Sequence, residues 1–93
     1  MLEGGIDNIK DIYIRSVNKL AYILINHEVD YDIQLDRYNN TVFVLEDTEE
    51  VRELKNRYEH CVRQGSGLPV DLVKFLDQCR ELRAEIREVK GSE

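Results

Sequence analysis

The sequence is short of the residues that catalysis and metal binding draw on most. It has two histidines and two cysteines in 93 residues, with no C-x-x-C or H-x-x-x-H pattern, so no metal-ligand set stands at a suitable spacing. His27 closes a predicted helix beside Glu28, where the helix dipole favours it. His60 and Cys61 are neighbours in another predicted helix, and adjacent helical side chains diverge by about 100°, so they form no nucleophile–base pair. A phosphate loop is missing as well. Gly65-Ser66-Gly67 lacks the Gly-Lys-Ser/Thr ending and reads as a helix–helix connector. No apolar run approaches the roughly 18 residues of a membrane span. The start, Met1-Leu2-Glu3-Gly4-Gly5, has neither the positive region nor the apolar region of a secretory signal. Nor is there a cationic excess: the net charge is −6, which disfavours non-specific binding to nucleic acid or anionic membrane. The expectation is a cytoplasmic-type protein with no catalytic residue, metal or cofactor.

What is present suffices for one domain. Hydrophobic residues make up 42% and charged residues 34%, a balance that buries a core and keeps the chain soluble. Residues 1–93 read as a single domain, with 1–8 as a flexible leader containing two glycines and no periodicity. A core this small makes association with a second copy attractive. Cys61 and Cys79 fall on predicted helix faces among aliphatic residues. They read as buried reduced thiols, with a disulfide between the two helices as the alternative.

The periodicities place six elements in the order strand, helix, strand, strand, helix, helix, an α+β fold with a small three-stranded sheet and a long C-terminal helix. Asp11-Ile12-Tyr13-Ile14-Arg15 alternates in the strand period. A rival parse begins a helix at Asp7 and absorbs this segment, but Ile12, Tyr13, Ile14 and Val17 favour strand. Ser16 is a good N-cap for a helix over Val17–His27, with Leu20, Ile23, Leu24 and His27 on one face. Tyr31–Asp36 and Thr41–Leu45 alternate as a hairpin around Arg37-Tyr38-Asn39-Asn40, where asparagine tolerates a left-handed backbone. Asp47-Thr48-Glu49-Glu50 opens a helix, with Asp47 as cap and the acids opposing the dipole. That helix runs to about Gln64, with Val51, Leu54, Tyr58, Cys61 and Val62 on its apolar stripe, and Gly65 ends it. Leu68-Pro69 restarts the chain into the last helix, from Val70 to about Lys90, with the proline acceptable in its first turn.

The last helix carries the sharpest pattern. Leu72, Leu76, Cys79, Leu82, Ile86 and Val89 recur at spacings of three and four, close to a heptad seam. Arg80, Arg83, Arg87 and Lys90 fall on one flank of that seam, and Glu81, Glu85 and Glu88 on the other. Within one helix this sorting sets like charges a turn apart, whereas a second polypeptide would satisfy it. The seam with Arg83 and Arg87 is therefore the expected homo-oligomer interface. A second cluster gathers Tyr13 and Arg15 on the outer side of the first strand, Arg37, Tyr38 and Asn39 on the hairpin, and Arg52 and Lys55 on the following helix. Tyrosine stacks on a base and arginine clamps a phosphate, so these residues are the candidate site for a small anionic nucleotide.

Taken in order, Ile12-Tyr13-Ile14-Arg15-Ser16, the helix with Leu20-Ala21-Tyr22-Ile23-Leu24, the hairpin with Thr41-Val42-Phe43-Val44-Leu45-Glu46-Asp47, a helix with Leu54 and Tyr58, and a last helix with Phe75 and Leu82 resemble a family of short phage and prophage proteins of uncharacterised function. The resemblance spans residues 11–86, and Asn26-His27-Glu28-Val29-Asp30 stand where family members place a glycine. It implies a protein that interferes with host machinery. The expected function is then a non-catalytic oligomeric binding protein that sequesters a cyclic-nucleotide defence signal in the host cytoplasm. The alternatives are an acidic inhibitor that binds a host protein or mimics nucleic acid, and a structural assembly factor.

Overall fold

A computed structural model describes residues 11–91; the expected leader at 1–8 lies outside the described residues. The elements are β1 (Asp11–Ile14), α1 (Val17–Asn26), β2 (Tyr31–Leu35), β3 (Thr41–Glu46), α2 (Glu49–Gln64) and α3 (Leu72–Gly91). This is the α+β order that the periodicities predict. The sheet order is β1-β3-β2. β3 runs antiparallel to both neighbours, so β1 and β2 are parallel edge strands joined across it through α1.

Local chemistry explains most boundaries. Ser16 caps α1, its hydroxyl accepting from the Lys19 N–H at 3.1 Å. The β2–β3 hairpin is a three-residue loop. Asn39 N–H donates to the Asp36 carbonyl and Asp36 N–H to the Asn40 carbonyl, both at 2.9 Å. Asn39 takes the left-handed conformation at φ 67°, as this turn with its bulge requires. The Asp36 carboxylate accepts from the N–H groups of Tyr38 and Asn40 and holds the turn closed. α2 ends in a Schellman arrangement: Gly65 at φ 71° lets Ser66 N–H donate to the Cys61 carbonyl and Gly65 N–H to that of Val62.

Two expected starts are corrected. Thr48, not Asp47, caps α2, its hydroxyl accepting from the Val51 N–H at 3.3 Å. Asp47 instead accepts from the Arg52 side chain at 3.0 Å. The last helix begins at Leu72, not Val70, and Pro69 stays in the connector. The Asp71 carboxylate accepts from the Lys74 N–H at 3.1 Å and supplies a first-turn partner there.

The core lies between the sheet and the helices. The inner face of the sheet carries Ile14, Phe43 and Leu45, which join Leu20, Ala21, Tyr22, Ile23, Val51, Leu54, Cys79 and Leu82 in one buried cluster. α1 is buried over four consecutive residues, Leu20 to Ile23, rather than along one stripe, because it packs against α2 and α3 as well as contributing to the cluster under the sheet. Each fully buried large side chain in such a cluster contributes about 1.5–3 kcal/mol. The buried Tyr22 ring keeps its hydroxyl beside the Arg57 guanidinium and holds that group above its usual value. No buried side-chain polar atom among the described residues lacks a hydrogen-bond partner. Cys61 is half-buried, Cys79 is buried, and both are free thiols.

Candidate functional site

The outer face of the sheet follows from register. Ile12 and Ile14 turn inward with Leu45 and Phe43, so Asp11, Tyr13 and Arg15 turn outward on β1, Val42, Val44 and Glu46 on β3, and Asp32 and Gln34 on β2. Three rows result. Asp11 stands beside Glu46 at one end, Tyr13, Val44 and Asp32 form the middle, and Arg15, Val42 and Gln34 the other end. The acidic end opens into a shallow groove of about 340 Å³ that also includes Asp30. At the other end Tyr13 and Arg15 line a depression of about 200 Å³ with Asp36 and Val42. β3 is not the clean apolar/polar alternation that Thr41–Leu45 was expected to show. Val42 and Val44 take the outer side, where Val42 is already buried at 8% exposure, Val44 is half-buried and Tyr13 beside them is 64% exposed. A continuous apolar run is the pattern of a strand covered on both faces.

Of the seven residues expected to hold a nucleotide, Tyr13 and Arg15 come together in this depression, with the hairpin residues Arg37, Tyr38 and Asn39 at the rim of the same sheet end. Arg15 is already engaged by Asp36 at 3.0 Å, and Arg37 sits over the Tyr38 ring at 6.0 Å. The Asn40 N–H, and after it Arg15, keep the Asp36 carboxyl below the usual carboxylate range, so a negative charge occupies the place where an anion would bind. Arg52 and Lys55 do not join them. Both lie on α2, in the helical layer, where Arg52 pairs with Asp47 at 3.0 Å and Lys55 with Glu59 at 3.1 Å.

The expected interface on α3 divides in two. Its C-terminal half is built into the fold: Cys79 and Leu82 are buried, Ile86 packs against the core, and Val89 is half-buried. Glu85 accepts from the Tyr31 hydroxyl at 2.7 Å and pins this half to β2. Burial, and next to it this bond, push the Tyr31 phenol far above its usual value. In the N-terminal half only Phe75 packs inward, and the apolar residues around it are open: Leu72 is 63%, Val73 67% and Leu76 48% exposed. On a helical wheel these three share one flank with Arg80, Arg83, Arg87 and Lys90, all exposed. Val73 belongs to this surface although the heptad reading passed over it. Val62 on α2, on the predicted apolar stripe of that helix, is likewise exposed, at 62%.

Other charged groups act as braces. Glu59 accepts from Lys19 at 2.7 Å and lies 3.1 Å from Lys55, and Lys19 first, then Lys55, hold its carboxyl below the usual range. Burial pushes the Cys79 thiol up. Among the described residues no group of three or more His, Cys, Asp or Glu is placed to hold a metal ion, and no helix is long and apolar enough to cross a membrane. No protein-family model, curated protein or solved structure matches the chain.

Proposed function

We propose that the protein is a non-catalytic binding protein that acts as an assembly of its own copies, joined through the exposed flank of α3. One observation carries this reading: Leu72, Val73 and Leu76 stand in solvent within two turns of a helix whose other side, with Phe75, Cys79, Leu82 and Ile86, packs into or against the core. Three neighbouring large apolar side chains are the kind of patch that marks an interaction site. The non-catalytic part is supported by where the perturbed titratable groups sit. Asp36 closes a turn, Glu59 braces α1 to α2, Tyr31 anchors α3 and Cys79 fills the core. Among the described residues these groups are spread over the fold as structural partners and do not converge on one cleft, as acid–base catalysis requires. Sedimentation of the wild-type chain against Val73→Glu and Leu76→Glu tests the proposal. Assembly of the wild type and monomers from the variants is the expected result, and a wild type that stays monomeric over a wide concentration range rejects it.

A second reading, capture of a small anionic nucleotide such as a cyclic-nucleotide defence signal, draws on Tyr13 and Arg15 sharing one depression. It requires the anion to displace Asp36 from Arg15. Ligand bound to the folded state raises the melting temperature, so a flat response to a panel of cyclic dinucleotides removes it.

A further inference from the structure

Self-association through α3 leaves open what the flank docks on. We infer that the α3 flank of one copy lies across the outer sheet face of the next, head to tail; this rests on the self-association reading and names its second surface.

Charge supports the pairing. The flank carries Arg80, Arg83, Arg87 and Lys90, and among the described residues only Arg80 has an ion-pair partner, Asp77 at 2.8 Å. The groove at the acidic end of the sheet is lined by Asp11, Asp30, Glu46 and, from the middle row, Asp32, none of which forms an ion pair among the described residues. Two flanks placed together would instead oppose eight cations, a costly arrangement for like charges.

The apolar parts match in order and in reach. Along α3 the apolar residues come first and the cations follow, their centres separated by about eleven residues, or roughly 17 Å at 1.5 Å per residue. Across the sheet, the row of Val42 lies four residues from the row of Glu46, about 13 Å at 3.3 Å per residue. A helix running along the strands therefore sets Val73 and Leu76 against the exposed Tyr13 at the end of the row of Val42, while its arginines reach the carboxylates. It also covers Val44, the half-buried outward valine of β3.

The two surfaces lie on different sides of the molecule. The helices cover the inner face of the sheet. Glu85 on α3 points to β2 and Cys79 to α1, which leaves the flank turned away from the sheet. Such a contact is heterologous, so copies form a ring or an open chain rather than a twofold dimer. A three-stranded face offers a few hundred Å², below the roughly 800 Å² per partner of a standard interface, so assembly is weak and grows with concentration.

Sedimentation velocity over a concentration series at low and high salt tests the contact with substitutions at exposed positions, which leave the core intact. Wild type is expected to form species that lengthen with concentration and fall apart in high salt, as screened ion pairs do. Arg83→Glu with Arg87→Glu is expected to be monomeric, as is Asp32→Lys with Glu46→Lys. The chain carrying all four reversals, with the charges exchanged, assembles again. If the helix pair abolishes assembly and the sheet pair leaves it intact, the head-to-tail contact is wrong and association through α3 stands. A four-fold variant that stays monomeric also overturns it. A wild type that never associates overturns both readings.

Discussion

Replacing Leu82 with Ala removes a side chain that is 0% exposed from the point where α3 meets the core cluster. Truncating a buried leucine costs the transfer energy of the lost atoms plus the cavity, about 3 kcal/mol within a range of about 2–5. The same change at Leu76, 48% exposed, leaves no cavity and is expected within about 0.5 kcal/mol, as for a surface position. Domains of this size have total stabilities of about 5–15 kcal/mol, so the two variants separate clearly. With a urea dependence of about 1–1.5 kcal/mol per molar, the Leu82→Ala midpoint falls by roughly 2–3 M. Leu76→Ala should overlay the wild type. The assay is urea unfolding followed by far-ultraviolet circular dichroism, at low protein concentration and high salt so that association does not add to stability. Equal losses for the two variants would show that the whole seam is covered in the same way. The division of α3 into a core half and a free half, and with it the proposed docking flank, would then be wrong.

Three further outcomes follow from local geometry. Thr48→Ala should cost about 1 kcal/mol by removing the α2 cap, and Asp47→Ala clearly less, with thermal melts as the readout; the reverse order would return the cap to Asp47. Glu59→Gln should remove a component of the acid sensitivity. The folded Glu59 carboxyl lies below its usual value because of Lys19 and then Lys55, so its contribution is complete above about pH 4.3, the unfolded value, and is lost as pH falls through the folded one. Urea midpoints of wild type and variant should converge in acid. Tyr31→Phe keeps the edge-on contact with Phe43 at 6.2 Å and deletes the bond to Glu85, for about 1 kcal/mol. Because the folded phenol is raised, the wild-type advantage is full below about pH 10, the unfolded value, and declines as pH rises towards the folded one; chemical unfolding at neutral and alkaline pH checks both parts.

The candidate site was legible only in pieces. Tyr13 and Arg15 were readable as outward because strand alternation places them opposite Ile12 and Ile14. That Asp36 reaches Arg15 was not, because the pair is 21 residues apart and meets only when β3 enters between β1 and β2. Arg52 and Lys55 looked like members of the same cluster by residue type, yet each has a carboxylate within one or two turns, Asp47 and Glu59, and spends its charge there. Val42 and Val44 could have been noticed as apolar residues on the outer side of a strand; the alternation of the rest of the hairpin hid them.

Backbone periodicity and short-range hydrogen bonding by themselves determined the elements. Ser16 as a cap, Asn39 in the left-handed turn, Gly65 at the end of α2 and the period of two over Asp11–Ile14 all act within a few residues, so they can be read from the chain. Strand order, the complete burial of Leu20 to Ile23 and the split of the α3 seam at Cys79 belong to the tertiary structure. They depend on which surfaces are left to cover once the sheet has closed over α1. A heptad pattern specifies only that a stripe is apolar; the neighbours that arrive decide which of its turns become core and which remain open.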